Sequence, residues 1–128
     1  NIEYIEAKNS PNVQFGVNHV VQAISYHSIL DLVNFCDNHK MLINPITIDR
    51  PSSFHISSLS LDSKKTFLDN TKNYNGFNQN FINFVREHTR AHLAQDPILV
   101  QECINYLEKF DRARHTDWRK VLPVENFA

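Results

Sequence analysis

The sequence predicts an α/β fold, a parallel βαβ unit followed by three C-terminal helices, and two observations carry this. Two short apolar stretches rich in β-branched residues, 13–25 and 41–48, flank a segment whose apolar residues recur every three or four positions. That strand–helix–strand order makes the strands parallel neighbours. Beyond residue 60 the periodicity is helical in three further segments.

In "VQFGVNHVVQAIS" (13–25) the core of the first strand is expected at 15–24. Alternation then places Val17, Val21 and Ala23 on one face, and Asn18, Val20, Gln22 and Ile24 on the other. In "SILDLVNFCDNHK" (28–40), Ile29, Leu32, Val33 and Cys36 form a helical stripe, and Ser28 with Asp31 resembles a capping box. "MLINPITI" (41–48) reads as the second strand, with Pro45 limiting its ladder bonding. Upstream, 2–8 reads as the tail of a helix and 9–12 as a turn.

"DRPSSFHISSLS" (49–60) reads as a polar loop, after which Ser60 caps a helix over 61–73. Gly76 and its asparagine neighbours mark a break. A helix over 77–93 carries the stripe Phe77, Phe81, Phe84, Val85, His88 and His92. Asp96-Pro97 starts the last long helix, which is expected to bury Val100, Cys103, Ile104, Leu107 and Phe110. Residues 1–60 are thus expected to form the βαβ portion and 61–128 a helical extension packed on it. Two parallel strands leave exposed edges, so further strands are expected from upstream sequence or another chain.

A chain of 128 residues, 41% hydrophobic, suits one globular domain. Its formal charge of -1 provides no global basic footprint for nucleic acid or a membrane surface. No apolar run approaches the ~18 residues of a membrane span. Cys36 and Cys103 fall on apolar helix positions and read as small buried hydrophobes, which fits a reducing, cytoplasmic setting. The first residue is Asn1 and the sole methionine is Met41, so the chain is expected to be a piece of a longer protein or a processed one.

Several constellations could carry chemistry. His88 and His92 stand one helical turn apart, a spacing able to bind zinc, but Thr89 occupies the position where the metalloprotease signature has glutamate. Both histidines also continue an apolar stripe, which favours partly buried structural roles. Asn18, Gln22 and Asn44 are uncharged polar residues near strand ends, where α/β sheets place their ligands. Solvent exposure or hydrogen bonding within the sheet accounts for them equally well. Arg50 follows the second strand and could reach a ligand, although a surface ion pair with Asp49 is an equal alternative. In "FDRARHTDWRKVLP" (110–123), Asp111 and Asp117 offset Arg112, Arg114, Arg119 and Lys120. These cations sit where a helix C-terminus favours them, with Thr116-Asp117 placed to cap a final turn and Trp118 to pack back on the domain.

The same stretch resembles the closing motif of radical S-adenosylmethionine proteins of the twitch-type subgroup. Their last helix ends with a pattern close to leucine-aspartate-x-x-arginine-x-threonine-aspartate/asparagine-tryptophan/phenylalanine, then proline. Asp111, Arg114, Thr116, Asp117, Trp118 and Pro123 match it here. "VVQAISYHSILDLVNF" (20–35) resembles that family's late barrel strand and its helix, and "INPITIDRPSSFHISSLS" (43–60) its next strand and connector. Order and spacing agree from about Val13 to Pro123.

The resemblance implies a partial parallel (β/α) barrel fragment whose N-terminal half is missing from this chain. It implies S-adenosylmethionine and a 4Fe-4S cluster in the intact protein, acting on a peptide or other biomolecule. The cluster loop C-x-x-x-C-x-x-C is absent from this sequence, so this fragment alone is expected to hold neither cofactor. Inward-facing Asn18, Gln22 and Asn44 would then contact cofactor or substrate, and Arg50 would bind an anionic group. His27 departs from the asparagine that many relatives carry. Three functions therefore compete: the C-terminal portion of such an enzyme, a non-catalytic protein-binding or assembly module derived from that fold, and a metal hydrolase built on His88 and His92.

Overall fold

The computed structural model describes residues 15–48, 50 and 52–128. The expected helix tail at 2–8, the turn at 9–12 and Asp49 lie outside the described residues. Strand β1 (Gly16–Val21) and strand β2 (Leu42–Thr47) pair in parallel, from Gly16 opposite Leu42 to Val21 opposite Thr47. Helix α1 (Ile29–Asn38) joins them and buries Ile29, Val33 and Cys36. The chain is therefore mixed α/β with a parallel βαβ unit.

Strand β1 is shorter than expected. After Val21 the Ala23 N–H leaves the ladder and donates to Phe54 O at 2.8 Å, and the chain coils into a 3-10 turn at Tyr26–Ser28. Ser28 forms no cap on α1; its hydroxyl donates back to Ser25 O at 2.9 Å, so the capping box with Asp31 is not built. At the other end Lys40 adopts a left-handed φ of 52°, and Met41 N–H reaches Cys36 O at 2.8 Å. That closure turns the chain sharply from α1 into β2.

Residues 52–60 are more than a polar loop. Two 3-10 turns, Ser52–Phe54 and Ile56–Ser58, drive Phe54, Ile56 and Leu59 into the core. Irregular backbone is tolerated there because short polar side chains satisfy it locally. Ser58 Oγ, for example, donates to His55 O at 3.0 Å.

Helix α2 (Leu61–Thr71) starts as expected at Ser60, whose hydroxyl accepts from Ser63 N at 3.2 Å. Helix α3 (Gln79–Ala91) begins later than its stripe suggests. Phe77 stays outside it and exposed, while Ile82 and Thr89 join Phe81 and Val85 in the buried face. Helix α4 (Pro97–Arg114) opens on the expected cap, Asp96 Oδ1 accepting from Ile98 N at 2.9 Å. It buries Cys103 and Leu107, but Phe110 remains exposed and rests on Tyr106, ring centroids 5.0 Å apart. One core spans both halves of the chain, with Val33, Ile43, Ile56, Leu59, Ile82 and Val85 in the same cluster. No described helix is long and apolar enough to cross a membrane.

Candidate functional site

The two faces of the sheet have opposite characters. Val21 and Ile43 point into the core, whereas Asn18, Leu42, Asn44 and Ile46 lie on an exposed face. The parallel register sets Asn18 directly opposite Asn44, and Asn44 Nδ2 donates to Asn18 Oδ1 at 3.1 Å. An amide carries two donor hydrogens and an acceptor oxygen. The pair therefore keeps the Asn18 amide donor and the Asn44 carbonyl oxygen for another group. Of the four residues expected at the site, these two are brought together. Gln22 sits half-buried just past β1, and Arg50 is exposed beyond β2. Among the described residues neither side chain hydrogen-bonds to the pair.

Asn78, buried at the start of α3, closes one edge of the sheet. Its Oδ1 accepts Ile43 N–H at 2.7 Å, and its Nδ2 donates to Met41 O and Asp37 Oδ1, both at 2.9 Å. Side-chain amide geometry thus replaces a neighbouring strand at Ile43. Elsewhere, a cavity of about 540 Å³ opens between α1, α2 and the C-terminal turn, beside Tyr26, Phe67 and Asn126. His27 lines it, and none of the expected site residues does.

The residues of the closing motif build a lock. Asp111 Oδ1 accepts the Thr116 hydroxyl at 2.8 Å, and Asp111 Oδ2 accepts Trp118 N–H at 2.8 Å. His115 supplies the left-handed turn at φ 55°, and Asp117 caps the next turn through Arg119 N at 3.1 Å. Trp118 is buried, edge-on to Phe127 at 5.8 Å and covered by the Arg119 guanidinium at 4.6 Å. The motif anchors the chain end on the core, as its spacing suggests.

The cysteines are not cluster ligands. Cys36 and Cys103 are fully buried on α1 and α4. Burial pushes both thiols up, Cys103 to about 11, and two thiols on different helices are not the closely spaced triplet of a C-x-x-x-C-x-x-C loop. The donors present do not fit an iron–sulfur cluster, and no step through one belongs to this chain.

A second grouping was only half legible in the sequence. His88, on α3, and His92, the residue that caps its C-terminus, meet His55 from the connector after β2. The three rings lie edge to face, with centroids 5.3 Å (His55–His88), 4.5 Å (His55–His92) and 4.9 Å (His88–His92) apart. One nitrogen from each lies within 4.8 Å of the others. His55 is oriented by Ser57, whose backbone N and Oγ stand 3.1 and 2.9 Å from Nδ1. Burial, aided by the neighbouring His92 and His55, lowers His88 to about 4, keeping it neutral at physiological pH. Its Nε2 is buried without a hydrogen-bond partner among the described residues. The spacing of His88 and His92 signalled a possible pair, but nothing local marked His55, which sits among serines in a stretch that reads as a loop.

No known family, curated protein or solved structure matches this chain.

Proposed function

We propose that this chain is the C-terminal portion of a radical S-adenosylmethionine enzyme, with β1, α1 and β2 as the last units of a partial (β/α) barrel. The observation that carries this reading is the one-sided sheet. One face is buried under helices, the open face presents the Asn18–Asn44 pair, and Asn78 blocks the free edge of β2 at Ile43. A sheet closed at β2 and, among the described residues, unpaired along the other edge of β1 suits the terminal strand of an unclosed barrel, with the preceding strands added beside β1. The open face would then line the interior, where ligands of such barrels lie near the strand ends. The closing lock supports the same reading, because four of the residues that match the closing motif, Asp111, Thr116, Asp117 and Trp118, build it.

In this role the chain binds and orients rather than generating the reactive species. The Asn18 and Asn44 amides would hold the polar part of S-adenosylmethionine or of a peptide or other substrate. Gln22 and Arg50 would contribute at the rim, Arg50 to an anionic group.

The test uses the longer protein. The residues preceding Asn1 are read for C-x-x-x-C-x-x-C, and the protein is reconstituted anaerobically with iron and sulfide. Cleavage of S-adenosylmethionine to 5′-deoxyadenosine is then followed. The reading expects bound iron and sulfide, cleavage, and weaker S-adenosylmethionine binding in Asn18→Ala and Gln22→Ala variants that fold normally. A longer protein without that cysteine loop and without bound iron overturns it in favour of a non-catalytic docking module.

A further inference from the structure

We propose that His55, His88 and His92 form a binding site for a divalent late first-row transition ion, Zn²⁺ in the first instance, fastening the connector after β2 to α3. The site is separate from the open sheet face and does not depend on the radical S-adenosylmethionine reading.

The donor set defines the ion. Among the described residues the donors are three imidazoles, which suit zinc, copper or nickel rather than the oxygen-seeking calcium or magnesium. His88 rides on α3, and His92 caps the same helix, its N–H still bonded to His88 O, so the helix end holds the two donors four residues apart. Tetrahedral zinc with ~2.0–2.1 Å bonds holds neighbouring nitrogens roughly 3.4 Å apart. The present limit of 4.8 Å is wider, so the nitrogens would close by up to roughly 1.4 Å around an ion.

The buried Nε2 of His88 has no hydrogen-bond partner among the described residues, and a bound ion would supply one. Ligation of His55 through Nε2 would place its proton on Nδ1, where Ser57 Oγ at 2.9 Å can accept it. Such an outer partner fixes tautomer and ring orientation. That arrangement gives up the Ser57 N–H contact to Nδ1, so the ion competes with a weak local cap.

The three donors found among the described residues leave a fourth position for a further ligand or water. His92 borders a surface depression beside Ser57, Gln95 and Asp96, which provides a path for the ion.

The test takes the chain as it exists, stripped with chelator and dialysed, and titrates Zn²⁺ by calorimetry. Co²⁺ is added separately as a spectroscopic probe. The site predicts one ion per chain, the intense visible absorption of tetrahedral Co²⁺, and a Tm that rises with Zn²⁺. His55→Gln and His92→Gln, both at partly exposed positions, should weaken binding at least as much as the ~10–100-fold typical of losing an outer-shell partner. Ser57→Ala should fall within that range. His27→Gln, outside the cluster, should change nothing. Failure to bind one Zn²⁺ per chain, or binding unchanged in His55→Gln or His92→Gln, overturns the site.

Discussion

The Asp111 carboxylate accepts the backbone N–H of Trp118 at 2.8 Å, seven residues further along the chain, while its second oxygen holds the Thr116 hydroxyl at the same distance. One side chain at the end of α4 thereby sets where the only tryptophan enters the core. It does so across a left-handed residue, His115, that breaks the helix.

Replacing Asp111 by alanine should therefore loosen the whole C-terminal turn. Hydrogen bonds to a charged group contribute about 1.5–3 kcal/mol each at most, and the Asp111 site is partly exposed, so a loss of about 1–3 kcal/mol is expected. Trp118 fluorescence should shift to the red as the indole meets water. An unchanged urea midpoint together with unchanged emission would show that packing on Phe127 alone holds Trp118.

Asn78 gives a sharper test, because each of its polar groups has a buried or half-buried partner. Asn78→Ala strands the Ile43 N–H and Met41 O, and should cost about 2–6 kcal/mol at ~1–3 kcal/mol for each orphaned group. Asn78→Asp keeps an acceptor for Ile43 but sets a carboxylate against Met41 O and Asp37, so it should not rescue. Hydrogen exchange at Ile43 should quicken in both variants. Protection at Ile43 equal to that of the unaltered protein would mean that the strand edge does not rely on Asn78.

Lys64 predicts a pH dependence. Its side chain is fully buried, with Nζ donating to Leu93 O at 3.2 Å and Ala94 O at 3.3 Å at the end of α3. Burial lowers its pKa to about 8 from an ordinary 10.5. Between those values the unfolded chain keeps a proton that the folded chain has released. Stability should therefore rise with pH across this window, by at most ~1.4 kcal/mol per pH unit from this group. Below pH 8 both states are protonated and the cost of burying the charge is present in full. Lys64→Met should remove this rise; urea midpoints that climb equally from pH 8 to 10 in both proteins would exclude Lys64 as its source.

Local chemistry explains why some of these features could be read early. Asp96-Pro97 and Ser60 are start signals whose effect lies within three residues, and both act as their spacing suggests. Ser28 fails at the same task because its hydroxyl finds Ser25 O, an acceptor created only when the chain turns after β1. Phe77 and Phe110 belong to apolar stripes yet stay exposed, since periodicity tells which residues share a face but not where a neighbouring element stops covering it. Asn18 and Asn44 were visible as polar residues in strands. Their mutual bond depends on register, which two separate segments do not state.

By itself the sequence determined the parallel βαβ order, the capped starts of α2 and α4, the burial of both cysteines and the anchoring of Trp118. Each follows from interactions that are short along the chain or from apolar periodicity. Tertiary structure alone decided that Asn78 would stand in for a missing strand, that the serine-rich connector would enter the core, and that His55 would meet His88 and His92. Those contacts join segments more than thirty residues apart. Their partners are chosen by how packed elements fall against one another, so only the folded chain brings them within reach.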